Sequence, residues 1–390
     1  MKKALLLVIP AAALAVAATA LGQSNRASGP TRAGVNGSTQ ITCGKTRAIG
    51  LMAPFTGPAA SIGTDQVHWA SYWRTQYNRS HKTKIRYVNE DTQLGAANGT
   101  AEAVKGAQAL ASNSAVLGVI GPAGSNEVKA TTGALKGAGL GWVSGSSTNT
   151  QVTLDGTRRG YFFRTVPPDS SQSKSVSAYI TKKLKLKRVY IIDDQEAYSI
   201  GLADEVQSQL RAKGVTVSRD GVSQQQSDFS SLIAKIPRNY QLVYIPWQLP
   251  PKGQAFGRQL KSSGRGSMKL MGSDGLFDPL FSGVGSNVYD SFFPVNTKSA
   301  LVKAYKKSHG GKGEYFGAPT YVAAQVVTGA IDRACKDGKA TRAEVRAQIK
   351  RTNLKNSLLG IPIRFDKNGD MRKKPFGIWK SVKGQFVAVA

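Results

Sequence analysis

Four short loops carry the residues whose chemistry stands out in this chain of 390 residues. "GPAGSNE" places Ser125 and Asn126 directly after an apolar run and before a helix-like pattern. "SGSSTNT" holds Ser146 and Thr148, "DDQEAYS" holds Tyr198, and "SDGLFD" holds Asp274. Ser and Asn are favoured helix caps, so the first backbone N–H groups of a helix are expected to face the Ser125 loop. Such a place attracts an anion. Hydroxyls and helix N–H groups suit a carboxylate, whereas an aromatic residue beside one acid suits an ammonium. If the loops face one another, they can hold a zwitterion.

The residue types for catalysis are present but badly placed. His68, His81 and His309 have no metal-ligand spacing, and no cofactor is expected. "CGKT" at 43–46 ends like a phosphate-binding loop, but Thr39 stands where the earlier glycine is required, and the motif precedes a strand instead of following one. No G-x-S-x-G nucleophile turn occurs. Asp193 and Asp194 are adjacent, so at a strand end they point to opposite sides. A binding protein is expected, not an enzyme.

The elements that must position these loops are legible as a rhythm. Apolar strand candidates fall near 47–53, 84–89, 116–120, 140–143, 188–192, 242–246 and 268–272, mostly separated by helix-like segments. In "SIGLADEVQSQLRAKG", Leu202, Val206 and Leu210 share one helical face, and Gly214 is placed to end the helix. Strand–helix alternation predicts α/β architecture with parallel, doubly wound sheets. The rhythm breaks at "YFFRTVPPDSSQS" and then resumes, which predicts two doubly wound (Rossmann-like) lobes. In open parallel sheets, ligands bind beyond the carboxyl ends of the strands, where all the loops above fall. The loop "PWQLP" after 242–246 adds Trp247 and Gln248 as candidates to face the same ligand.

Residues 1–22 read as an export signal: Lys2 and Lys3, an apolar stretch, then Ala18-Thr19-Ala20 as a cleavage site. Residues 23–45 are expected to be a flexible tether. The net charge of +30 is spread along the chain with no arginine-rich arm, so nucleic acid is not the expected partner. A secreted protein held near an anionic cell envelope fits better. Two cysteines, Cys43 and Cys335, behind an export signal imply one disulfide.

On the motifs "APFTGPAASIG", "GPAGSNE", "SGSSTNT", "GYFFRTVPPDSSQ", "VYIIDDQEAYSIGLAD", "SDFSSLIAKI" and "MGSDGLFD", residues 46 to 390 resemble the type I solute-binding proteins of ABC importers, most closely the leucine/isoleucine/valine-binding subfamily. The resemblance implies a type I periplasmic binding protein fold with three crossovers between lobes, near Arg164–Pro168, Phe293–Asn296 and Leu358–Pro362. The lobes would comprise 46–165 with 296–359 and 166–295 with 360–390. It also implies that Ser125 and Thr148, assisted near Ser146, bind a ligand carboxylate, that Tyr198 contacts the ligand from the other lobe, and that Asp274 takes an α-ammonium. The partner would be an ATP-driven membrane permease, with the binding protein a monomer. A sensor domain, or a binder of amides, urea or aromatic acids, is the alternative. The chain departs from the branched-chain binders at Asp274, where they carry Glu, at Ile62, where they carry an aromatic residue, and at Gly124, where some carry Cys. These changes surround the side-chain end of the pocket.

Overall fold

The computed structural model describes residues 37–296, 298–309 and 315–390. The export signal expected over 1–22 and the first part of the tether lie outside the described residues. Residues 40–45 do not behave as a tether: β1 (Gln40–Thr42) pairs antiparallel with β12 (Lys339–Thr341). The Cys43 N–H donates to the Gly338 carbonyl, and Cys43 is bridged to Cys335. Ile41, packed on the first-lobe core, and the disulfide fix this stretch where composition alone reads as flexible.

The first lobe is built on β2 (Thr46–Ala53), β3 (Lys84–Asp91), β4 (Val116–Ile120), β5 (Trp142–Ser144) and β6 (Phe162–Arg164). They form a parallel sheet in the order β3-β2-β4-β5-β6. All five residues of β4 are buried, because helices cover both faces of the sheet. The second lobe holds β7 (Arg188–Asp193), β8 (Thr216–Gly221), β9 (Leu242–Tyr244), β10 (Lys269–Met271) and β11 (Val288–Phe292), extended by β13 (Gly377–Val382) and β14 (Gln385–Ala388). Its order is β14-β13-β11-β10-β9-β7-β8, with the last two chain segments, β13 and β14, antiparallel. In each sheet the order reverses beside the lobe's first long strand, between β2 and β4 and between β7 and β9. That reversal opens a crevice at the carboxyl ends of the strands. The loops singled out above leave the sheets at or beside these two crevices.

The crossings between lobes run after β6, after β11 and before β13. The third differs from the expectation. Residues 360–371 remain with the first lobe: Ile363, Phe365 and Met371 are buried in its core, and the ring of Phe365 lies 5.0 Å from that of Phe163. Backbone bridges Leu354↔Ile363 and Phe365↔Met371 hold the segment there, so the chain crosses only at about 372–376. The buried Arg164–Asp370 pair, 2.7 Å apart, anchors it to the end of β6. The helix Gly317–Ala334 also returns to the first lobe, with thirteen of its eighteen residues buried against that sheet and the helix Ala60–Ser80.

Candidate functional site

Where the two crevices face each other, a small, partly open pocket lies between the lobes. From the first lobe, Ser125, Ser146 and Thr148 line it, with Ile62, Leu94, Ala123 and Phe316 as an apolar wall. From the second lobe come Tyr198, Gln248 and Asp274. The structure thus brings seven of the eight sequence-selected ligand residues to one cavity.

The eighth, Trp247, lies elsewhere. Its indole N–H donates to the Ile192 carbonyl at 2.7 Å, and its ring packs between Phe229 and Phe256 in the second-lobe core. Neighbours in an extended loop point in opposite directions, so with Trp247 turned into the core, Gln248 faces the cavity.

On the first-lobe side the helix Ser125–Gly137 begins one residue earlier than the sequence implies. Gly124 is the cap and Ser125 is the first helical residue. The Gly124 N–H is satisfied by Glu127 at 2.8 Å, whose carboxyl burial pushes up to about 7. The Ser125 hydroxyl sits 3.0 Å from that of Ser147 and accepts from the Asn149 N–H at 3.2 Å, tying the helix start to the 144–150 loop. Ser144 braces that loop: its hydroxyl donates to the Pro122 carbonyl and accepts from the N–H groups of Ser146 and Ser147. A side chain at Gly145 would come within 2.7 Å of Thr320, so the loop can pack on the Gly317–Ala334 helix only with glycine there. Beneath the loop, Arg164 is fully buried. It donates to the carbonyls of Ser147 and Asn149, to the Thr153 hydroxyl and to Asp370. Its guanidinium thus takes up loop carbonyls from behind and adds positive charge on the side where a ligand carboxylate would sit.

The second-lobe side has the opposite character. Asp274 is buried, and the Tyr198 hydroxyl lies 2.6 Å from its Oδ1 and 2.7 Å from the Ser273 hydroxyl. Burial pushes the Asp274 carboxyl up to about 6, with hydrogen bonds from Tyr198 and Gln172 opposing the shift. No lysine or arginine contributes, so among the described residues this carboxylate has no cation of its own. Asp169, also buried, is raised further, first by desolvation and then by the charges of Asp274 and Glu205. An acid held desolvated, without a counter-ion, at a cavity wall is suited to receive a cationic group from a ligand.

The lobes are latched over the cavity. The Asn126 amide donates to Glu196 at 2.8 Å, the Asn149 amide to the Ala197 carbonyl at 2.8 Å, and the Gln225 amide to the Gly95 carbonyl at 3.3 Å. Ile62, Leu94, Leu249, Phe277, Phe292, Phe293 and Phe316 form one apolar cluster drawn from both lobes. Sequence reasoning missed Arg164, Asn149, Leu94 and Phe316, and read Asn126 only as a helix cap. A buried arginine at the end of a strand, in "FFRT", was a signal available for the first. Phe316 and Leu94 reach the cavity only through long-range packing. Elsewhere, the adjacent acids part company: Asp193 pairs with Arg219 and Asp194 with Gln224. The described residues contain no group of three or more His, Cys, Asp or Glu side chains able to hold a metal ion.

Residues 46–376 match the family profile described as "Periplasmic binding protein". The Leu/Ile/Val-binding protein BraC3 of Rhizobium johnstonii is 29% identical over 353 residues, covering 87% of this chain and 93% of that protein. The leucine-, isoleucine-, valine-, threonine-, and alanine-binding protein of Pseudomonas aeruginosa is 27% identical over 350 residues, covering 86% and 90%. Among solved structures, the leucine binding protein LivK of Thermotoga maritima superposes with a TM-score of 0.79 at 24% identity, covering 88% of this chain and 98% of that one. LivJ of Streptococcus pneumoniae, solved in complex with isoleucine, gives 0.77 at 23% identity, covering 88% and 100%. The fold is shared with both.

Proposed function

The chain belongs to the periplasmic binding protein family, and from that premise we propose that it is the extracytoplasmic binding protein of an ATP-driven importer, capturing a small α-amino acid between its lobes and delivering it to the permease. The observation that carries this reading is the opposition of two chemistries across one small cavity. Ser125, Ser146 and Thr148 line one wall at the start of a long helix, while Asp274, backed by Tyr198, lines the other. A zwitterionic amino acid satisfies both walls at once. A ligand with a carboxylate but no ammonium would set its charge in the same small pocket as the desolvated Asp274 and leave that acid without a cationic partner.

Capture proceeds by closure. Ligand groups touch both lobes only when the lobes meet, so the ligand shifts the population toward the closed arrangement. The bonds from Asn126 and Asn149 to the second lobe belong to that arrangement and form with it. A permease that favours the open form would release the ligand by breaking the same contacts. The screen that tests the reading is thermal unfolding of the purified protein against the L-amino acids and small amides. At 100 times Kd, a true ligand stabilises the protein by about 2.7 kcal/mol. No shift with any amino acid, alongside a shift with a simple amide or an aromatic acid, would overturn it.

A further inference from the structure

Gln248 is a polar residue in the pocket wall whose demand no described residue meets. It is 4% exposed, and its side chain makes no hydrogen bond with any described residue; its Nε2 is fully buried. Two of the polar residues that line the same pocket already have partners. Asp274 has Tyr198, and Ser125 has Ser147. The loop that carries Gln248 is fixed on both sides. A side chain at Gly275 would meet the Trp247 carbonyl at 2.5 Å and the Gln248 Cα at 2.7 Å, so this loop lies flush against the turn bearing Asp274. The next residue, Leu249, packs into the apolar cluster with Leu94 and Ile62. Gln248 therefore has little freedom to swing its amide into solvent; the apolar lining residues Ile62, Leu94 and Phe316 offer it no acceptor, and the hydroxyls and carboxylate that share the lining make no bond to its Nε2.

A buried donor left unpaired is costly, and a ligand that supplies the missing acceptor removes that cost. Resting on the amino-acid reading above, we propose that Gln248 is a specificity-determining residue that donates to an oxygen on the ligand side chain. The pocket then prefers α-amino acids carrying a hydroxyl or amide oxygen over aliphatic ones of the same shape. The side chain, not the α-carboxylate, is the intended partner. The carboxylate handles lie on the opposite lobe, and Gln248 abuts the ammonium handle beside the apolar wall where a side chain must lie.

The test uses two isosteric pairs, L-threonine against L-valine and L-asparagine against L-leucine, titrated by calorimetry into the wild-type chain and into Gln248→Met. In the wild type, the oxygen-bearing member of at least one pair should bind about tenfold or more tighter, because a site built around a hydrogen bond discriminates against an analogue that lacks it. Q248M should abolish that ratio by weakening the oxygen-bearing ligand while leaving the aliphatic one equal or tighter. Valine and leucine binding as well as or better than their isosteres in the wild type would overturn the proposal and leave the amino-acid reading standing. Equal weakening of both members of a pair in Q248M would assign the amide to the carboxylate and overturn it as well. If none of the four binds, this proposal is overturned, while the amino-acid reading is decided separately by the full thermal-unfolding screen. The wild-type ratios decide the matter even if Q248M does not fold.

Discussion

Replacing Asp274 with Asn removes one charge and almost no volume, so it isolates the electrostatics of the ammonium wall. The carboxyl is buried, has no cation of its own among the described residues, and is held by Tyr198 at 2.6 Å. A ligand ammonium about 4 Å away gains roughly 4 kcal/mol at an effective dielectric of about 20. Truncating one member of such a buried pair costs about 2–5 kcal/mol, or roughly 30- to several thousand-fold in affinity. A ligand bound at about 1 μM holds only about 8 kcal/mol, so D274N should push binding toward the millimolar range. The wild type carries a second signature. Only the ionised carboxyl attracts the ammonium, and its pKa in the free protein is raised to about 6. Bound ammonium lowers that pKa, so affinity is full above about pH 6 and is lost as pH falls through it. Between pH 7 and pH 5 the ionised fraction drops from about nine-tenths to about one-tenth, and affinity should fall about tenfold. D274N should show no such fall. The assay is calorimetry over this pH range, with thermal unfolding of the free variant as the control for folding. Above pH 6 the amide relieves a desolvated charge, so the free variant should melt no lower than the wild type. If a correctly folded D274N binds within threefold of the wild type at pH 7.5, the reasoning is refuted.

Three further outcomes follow from the same geometry. Arg164→Met should destabilise the chain by about 3–5 kcal/mol in chemical denaturation, because it removes the buried arginine partner of Asp370, leaving only Lys374 at 3.3 Å, and takes a donor from the Ser147 and Asn149 carbonyls; a change under 1 kcal/mol would contradict the role given to Arg164. Asn126→Ala breaks a cross-lobe bond to the Glu196 carboxylate and should cost about 1.5–3 kcal/mol in affinity, seen chiefly as faster ligand release in stopped flow; an unchanged release rate would show that the latch is idle. Joint Cys43→Ser and Cys335→Ser replacement opens a link across 292 residues and should lower stability by about 2–5 kcal/mol without altering ligand affinity, since Cys43 precedes β2 while the cavity lies beyond its far end; a large affinity change would mean that the staple shapes the cleft.

What the sequence made legible follows from what is local. β4 and β7 are buried on both faces, so their apolar runs stand out. β8 escaped notice because it pairs only with β7 and five of its six residues are half-buried or exposed, so "TVSRDG" carries no apolar run. The cavity loops were legible because parallel topology fixes where loops must gather, and the residue types then set hydroxyls on one wall and an acid on the other. Choosing between Trp247 and Gln248 was beyond the sequence, since which of two neighbours turns inward is decided by Phe229 and Phe256 packing from other elements. The third crossing was misplaced for a similar reason. Ile363, Phe365 and Met371 alternate as a hairpin strand would, and only the long-range partners Leu354, Phe163 and Arg164 assign them to the first lobe.

The central claim is that both charged ends of an amino acid are read, one by each lobe. It is tested most directly by titrating the wild-type chain with its best L-amino acid, with the matching carboxamide, and with the matching acid lacking the amino group. The intact zwitterion should bind, and each altered compound should lose about thirtyfold or more, since each leaves one buried wall without its partner. A deaminated acid that binds as tightly as the amino acid would contradict it, because Asp274 would then have no ammonium to answer.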